Sequence, residues 1–308
     1  MTPCPCEKIG LSYSIYKDTV HQNLRTTSPS VKVKTTVMIE ERTPAIVLRA
    51  RIHGESDKIV TFLTRDWGKI TGIAKGAKRS QRRFVNVLEP FTNVHLRFRP
   101  IRAEELAFIF GCDLLRSFRA PGRDLQRYGF ASYLTELIDV MVAGRESGPE
   151  IYELLLQGLA VLEEQRELSP LFLSAFELLL LVHTGYAPNI DGCQRCGQPI
   201  PIAHSRTATD PPAMFSSSLG GLLCVNCRDR GGATVRLSPD TLHLLANPQS
   251  AQPKAFLLTR AAPQTCRELR AIVSSLLTRH LTRPLKSRAF LEQAGLLADS
   301  LVDDPVGE

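Results

Sequence analysis

Four cysteines and one run of cations are the residues whose types and spacing point to chemistry. Cys193 and Cys196 form one Cys-x-x-Cys pair, Cys224 and Cys227 another, with 27 residues between them. A two-residue spacing lets a tight turn present both thiolates to one tetrahedral ion, and Gly197 and Asn226 are turn-compatible neighbours. The gap exceeds the roughly 15 to 20 residues of the commonest pattern. A hairpin over Phe215 to Val225 is expected to bring the pairs together. A redox dithiol would explain only one pair. Four thiolates leave no open coordination position for water, so the expectation is a structural zinc ion rather than a catalytic one.

The second feature is the stretch KITGIAKGAKRSQRR, Lys69 to Arg83. Lys69, Lys75, Lys78, Arg79, Arg82 and Arg83 stand there without a carboxylate among them. Cations without counter-charges resist burial, so the segment should be solvated and should gain most from a polyanion laid across it. Nucleic acid is the expected polyanion, bound through counterion release with little regard to base sequence. Charge alone also fits a loop that serves only solubility.

The rest of the chain must position these groups. At 308 residues and 43% hydrophobic content it can form two domains with proper cores. The most apolar stretch, Leu171 to Val182, is too short for a membrane span and carries Glu177. The polar amino-terminal segment lacks a signal-peptide core, so a cytoplasmic protein is expected. Charge is segregated within the net +7: residues 42–127 hold 18 Lys and Arg against 8 Asp and Glu, and residues 128–192 hold 2 against 10. The anion-binding surface should therefore lie in the first module.

Residues 1–37 show no periodicity and are expected to be either a disordered extension or a misassigned start, with Met38 as the initiator in the second case; Cys4 and Cys6 are expected to be plain thiols. Strand-like patterns follow at Ala45 to Ile52, Ser56 to Thr64, Ile70 to Ala74, Asn93 to Phe98 and Leu106 to Phe110, with a turn at Arg65 to Gly68. Five short strands over residues 38–118 predict a small barrel of the oligonucleotide/oligosaccharide-binding type, the OB-fold, making the protein α+β. Helical periodicity then runs from Leu125 to Met141, Ile151 to Leu162 and Leu171 to His183, the last apolar nearly all round and so the centre of a bundle. Further helices are expected at Thr241 to Leu245, Cys266 to His280 and Ala289 to Leu297. The helical domain thus covers 119–300, interrupted by a zinc-binding insertion at 191–232, with a tail at 301–308.

Catalytic constellations are missing. Gly72 and Gly76 belong to neither a phosphate-binding loop nor a Gly-x-Gly-x-x-Gly turn. His183 and His243 lie on apolar helical segments, and Asp57 and Asp66 lack the carboxylate cluster of a two-metal nuclease.

The stretch AIVLRARIHGESDKIVTFLTRDWGKITGIAKGAKRS, the later FELLLLVHTGYAPNIDGCQRCG, and LCVNC before a long helix together resemble the bacterial recombination mediator family RecO, over about residues 42–300. The resemblance implies a non-enzymatic DNA repair protein of the RecF pathway that binds single- and double-stranded DNA and anneals complementary strands. It implies partners: RecR, the carboxy-terminal tail of single-stranded-DNA-binding protein and, indirectly, RecA. Lys75, Lys78, Arg79, Arg82 and Arg83 would form the DNA surface, extended by Arg97, Arg99 and Arg102. Lys69 and Arg65 are weaker members, and Arg116, Arg119, Arg123 and Arg127 would continue the track. Phe84 and Trp67 could stack on bases, with packing favoured for both because a small barrel has few aromatic residues to fill its core. Arg279, Arg283, Lys286 and Arg288, beside Leu281, Leu285 and Phe290, are the expected dock for the acidic tail peptide. The alternatives are a zinc-containing nuclease and an interaction scaffold without DNA affinity.

Overall fold

The computed structural model describes residues 40–99, 106–144, 148–200, 213–230, 232–248 and 252–297. Residues 1–37, Arg102 and the 301–308 tail, on which expectations were placed above, lie outside them.

Strands β1 (Glu41–His53), β2 (Asp57–Thr64), β3 (Gly68–Ala74), β4 (Thr92–Arg99) and β5 (Ala107–Ser117) close a barrel in the order β1-β2-β3-β5-β4. All pairings are antiparallel except the short parallel seam between β3 and β5, and β1 closes on β4. This is the OB arrangement that the strand count predicts. The alternation in β3 is clean: Gly68, Ile70, Gly72 and Ala74 are buried while Lys69, Thr71 and Ile73 are half-buried on the outer side. Gly72 is needed at the seam, because a Cβ there would sit 2.4 Å from Ile109 Cδ1 and 2.8 Å from the Ala107 carbonyl oxygen. β5 runs seven residues beyond the expected end at Phe110, since bulges opposite Arg97 and Asn93 keep it paired with β4.

The segment between β3 and β4 plugs one end of the barrel. After a 3-10 turn at Ala77–Arg79, Phe84, Val87 and Leu88 turn inward and join the barrel core around Phe62, Phe98 and Ile109.

The helices are α1 (Leu125–Met141), α2 (Pro149–Glu164), α3 (Phe172–His183), α4 (Pro239–Ala246), α5 (Pro253–Leu257), α6 (Pro263–His280) and α7 (Lys286–Gln293). Asp124 caps α1 by accepting the Arg127 N–H, and Ser238 caps α4 through the Thr241 N–H. As its composition predicts, α3 is the buried centre, in contact with α1, α2, α5 and α6. The last helix starts and ends earlier than expected, because Gly295, at φ +63°, turns the chain after Gln293.

Besides the barrel's own core, a second core runs from the barrel into the helices. Ile46 and Leu48 of β1, Leu63 of β2, Phe91 and Phe118 pack with the helical side chains, and the Tyr152 hydroxyl donates to Asn93 Oδ1 at 3.0 Å. Between α3 and α4 a small sheet, β7 (Gly221–Leu223), β6 (Ala213–Ser216) and β8 (Thr234–Leu237), adds Phe215, Leu222 and Leu237 to the same core.

Candidate functional site

The four cysteines converge as their spacing predicts. Cys193 and Cys196 sit on the turn after α3, where the Gly197 N–H returns to the Cys193 carbonyl at 2.9 Å and Gly197 takes φ +73°. The β6–β7 hairpin delivers Cys224 and Cys227, whose turn closes through the Cys227 N–H to the Cys224 carbonyl at 3.0 Å. The Gln194 N–H to Leu222 carbonyl bond, 2.8 Å, ties the two turns together. All four Sγ atoms lie within 4.8 Å of one another. Cys196 and Cys224 Sγ are 3.7 Å apart, too far for a disulfide. Metal–thiolate bonds of about 2.3 Å in a tetrahedron require sulfurs roughly 3.8 Å apart, so the set fits one ion. Burial pushes the Cys193 thiol up, but the N–H groups of Cys224, Cys196 and Arg195 aimed at its sulfur outweigh that and bring it down to about 6. Amides that stabilise a thiolate suit a ligand that binds deprotonated.

The basic run divides by structure. Lys69 leaves it: its Nζ donates to the Asp139 carbonyl at 2.6 Å and lies 3.4 Å from the Asp139 carboxylate, which also meets Arg49 Nε at 3.3 Å. Lys69 therefore fastens the barrel to α1, contrary to the expectation that the whole run is solvated. Beyond Ala74 the backbone is pinned, with the Gly76 N–H donating to Asp57 Oδ1 at 2.8 Å and the Lys78 N–H to the Ser56 carbonyl at 2.9 Å. The Gly76 bond is the main reason the Asp57 carboxyl is held below its usual range. Arg83 folds back onto the Lys75 carbonyl at 3.1 Å and over the Phe84 ring. Lys75, Lys78, Arg79 and Arg82 are exposed and make no ion pair among the described residues. They form a cationic rim on a fixed backbone.

On β4, His95, Arg97 and Arg99 alternate outward. Arg97 lies over Gly111, with Glu40 and Asp113 oxygens 3.8 Å away, and its buried Nε has no hydrogen-bond partner. Arg99 covers the Phe108 ring at 5.7 Å. Of the expected continuation of the track, Arg116 pairs with Glu164 at 3.0 Å and Arg127 donates to the Leu162, Gln165 and Arg166 carbonyls at the end of α2, while Arg119 and Arg123 are exposed. Phe84 is buried in the barrel, and Trp67 packs edge-on against Phe98 at 5.8 Å, so both are packing residues as expected. Sequence reasoning missed Phe108 and Phe110, which point outward in edge contact at 5.1 Å, and Arg51 on β1. The alternation of Phe108 and Phe110 with the inward Ala107 and Ile109 was the available signal.

The four carboxy-terminal cations differ in what they hold. Arg279 holds the Ser217 and Ser218 carbonyls, at 3.2 and 3.0 Å. Arg283 pairs with Glu136 at 2.8 Å, and Lys286 is exposed with its backbone N–H on the same carboxylate. Arg288 pairs with Glu292 at 2.9 Å and lines a cavity of about 300 Å³ with Tyr133, Glu177 and Arg270.

Comparison with known proteins covers nearly all of this architecture. The family described as Recombination protein O N terminal matches residues 38–118, and that described as Recombination protein O C terminal matches 122–289. A protein from Geobacter metallireducens named DNA repair protein RecO is 36% identical over 256 residues, 83% of this chain and 98% of that protein. One of the same name from Anaeromyxobacter sp. strain K is 35% identical over 252 residues, 82% of this chain and 96% of its own. With both parts matched in order and identity above 30% along most of its length, the chain belongs to the recombination protein O family.

Proposed function

We propose that the protein is a DNA repair and recombination mediator of the RecF pathway, without enzymatic activity. It binds single- and double-stranded DNA, anneals complementary strands and, with RecR, helps load RecA onto DNA covered by single-stranded-DNA-binding protein, in the cytoplasm at the nucleoid. The DNA surface comprises Lys75, Lys78, Arg79, Arg82 and Arg83 with Arg97 and Arg99, and Arg102 beyond the described residues. The observation that carries this reading is the cationic rim: four exposed, unpaired cations on a loop whose backbone is bonded to the β1–β2 turn. Annealing needs phosphate neutralisation on two backbones without reading base edges, and a rim of this kind supplies it.

In this proposal residues 38–118 bind DNA, the helical part over 119–300 supplies contacts with partner proteins, and residues 191–232 form the zinc module. Cys193, Cys196, Cys224 and Cys227 hold a structural zinc ion that clamps two turns to the bundle. The carboxy-terminal tail of single-stranded-DNA-binding protein, acidic and ending in apolar residues, docks near Arg279, Arg283, Lys286 and Arg288.

The test is fluorescence-monitored binding and annealing of complementary oligonucleotides at low and moderate salt. Changing Lys78, Arg79, Arg82 and Arg83 together to Ala should abolish annealing and reduce the salt slope of single-strand binding by about 3, at about 0.7 per phosphate contact. Full activity in that variant would move the surface to Arg97 and Arg99. No binding by the wild type at low salt would overturn the proposal.

A further inference from the structure

The strand registers of the barrel align a row of side chains that no sequence window contains. Residues paired across neighbouring strands point to the same side of a sheet, and Arg51 pairs with Ile59, Ile59 with Ile73, Ile73 with Phe108, and Phe108 with Arg99. All five strands contribute one residue each. At about 4.8 Å between strands the row spans roughly 19 Å. Ile73 and Phe108, with Phe110 beside Phe108, are half-buried and belong to neither of the two hydrophobic cores, so they form a partly exposed apolar strip on the outer face of the barrel, with Ile59 buried at its β2 end. An arginine stands at each end.

We infer that this strip is a base-stacking platform on which Ile73, Phe108 and Phe110 take the unpaired bases of single-stranded DNA, while Arg51 and Arg99 meet the flanking phosphates. The inference rests on the proposed DNA function and adds the element that tells single strands from duplex. Aromatic faces accept any base, but only a base released from its own duplex stack can reach them. The phosphate-binding rim adjoins the platform: Lys75 follows Ile73 by two residues, and the Cys112 N–H donates to the Arg83 carbonyl at 3.2 Å, holding the rim against β5. Arg99 already lies on Phe108, the pairing of guanidinium and ring that also receives a base. Because Phe84 and Trp67 are packed into the barrel, the outward phenylalanines carry this role.

The experiment compares binding of an oligothymidine and of a blunt duplex of equal length by the wild type, by Phe108→Leu/Phe110→Leu and by Phe110→Trp, in the full chain at one fixed moderate salt. Leucine keeps the apolar bulk and removes the stacking face. The double variant should lose about tenfold in single-strand affinity, about 1.4 kcal/mol, with duplex affinity within twofold of wild type. Phe110→Trp should bind the single strand at least as well as wild type. Equal loss on both substrates, or single-strand affinity within twofold of wild type, overturns the platform while leaving the DNA function standing. A wild type that binds neither substrate removes that function and the platform with it.

Discussion

Replacing Glu177 by Gln should stabilise the protein above pH 7 and leave its stability nearly unchanged at pH 4.5. Glu177 is buried on α3 with the Tyr133 hydroxyl donating to Oε1, and Arg288 and Arg270 near enough to favour its charge. Burial outweighs these and raises its pKa from the ordinary 4.5 to about 7. The sign follows from proton counting. Below about pH 4.5 the carboxyl is protonated in both the folded and the unfolded chain and costs nothing. Between 4.5 and 7 the unfolded chain ionises while the folded one holds its proton, so stability falls as pH rises, and it levels off once the folded group ionises as well. The full displacement is worth about 3 kcal/mol, at about 1.4 kcal/mol per tenfold change in proton affinity.

His183, whose pKa burial lowers, tilts the wild-type profile the other way below about 6.5, since the unfolded chain takes up its proton first. Asp57, Glu136, Glu164 and Glu268 are all held low, so their contributions are lost only in acid below the window. The quantity to measure is therefore the difference between variant and wild type, from urea unfolding at pH 4.5, 5.5, 6.5 and 7.5 with unchanged m. It should grow from near zero to about 3 kcal/mol. A difference that stays constant across this range would refute the assignment of Glu177 as a carboxyl held neutral by burial.

Two further outcomes test other parts of the structure. Cys196→Ser should lose the metal, read as metal content per chain, and lower the melting temperature; a variant that keeps both overturns the four-cysteine site. Gly72→Ala forces a methyl group against Ile109 Cδ1 and the Ala107 carbonyl and should destabilise the barrel by about 1–3 kcal/mol in urea unfolding; unchanged stability would overturn the close approach of β3 and β5 at this seam.

The parts of this protein that were legible in its sequence are those set by short spacings. A two-residue interval placed each thiolate pair on a turn, and a two-residue alternation marked β3; the same alternation runs through Phe108 and Phe110, whose outward direction was there to be read and was missed. What could not be read is which charges are already spent. Lys69 and Lys78 look alike in one basic run, yet Lys69 is held by Asp139, 70 positions away, while Lys78 stays in solvent. Arg127 extends an apparent arginine track but is occupied by three carbonyls 35 to 39 residues along the chain.

The same limit explains the aromatic residues. Phe84 directly follows the basic run and Phe108 lies well outside it, so proximity in sequence points to the first as a stacking residue, whereas the tertiary structure buries the first and turns the second outward. The β3–β4 connection must bury apolar side chains to plug the barrel, which draws Phe84 inward and leaves its cationic neighbours on the rim. The parallel β3–β5 seam then sets Ile73 beside Phe108, across 35 residues of chain. Plugging the barrel and closing it thus separate two tasks that are mixed in the sequence: charge collects on the loop, and apolar surface collects on the strands next to it. The proposed function, holding phosphates without regard to base sequence while preferring open strands, needs those two surfaces adjacent but distinct.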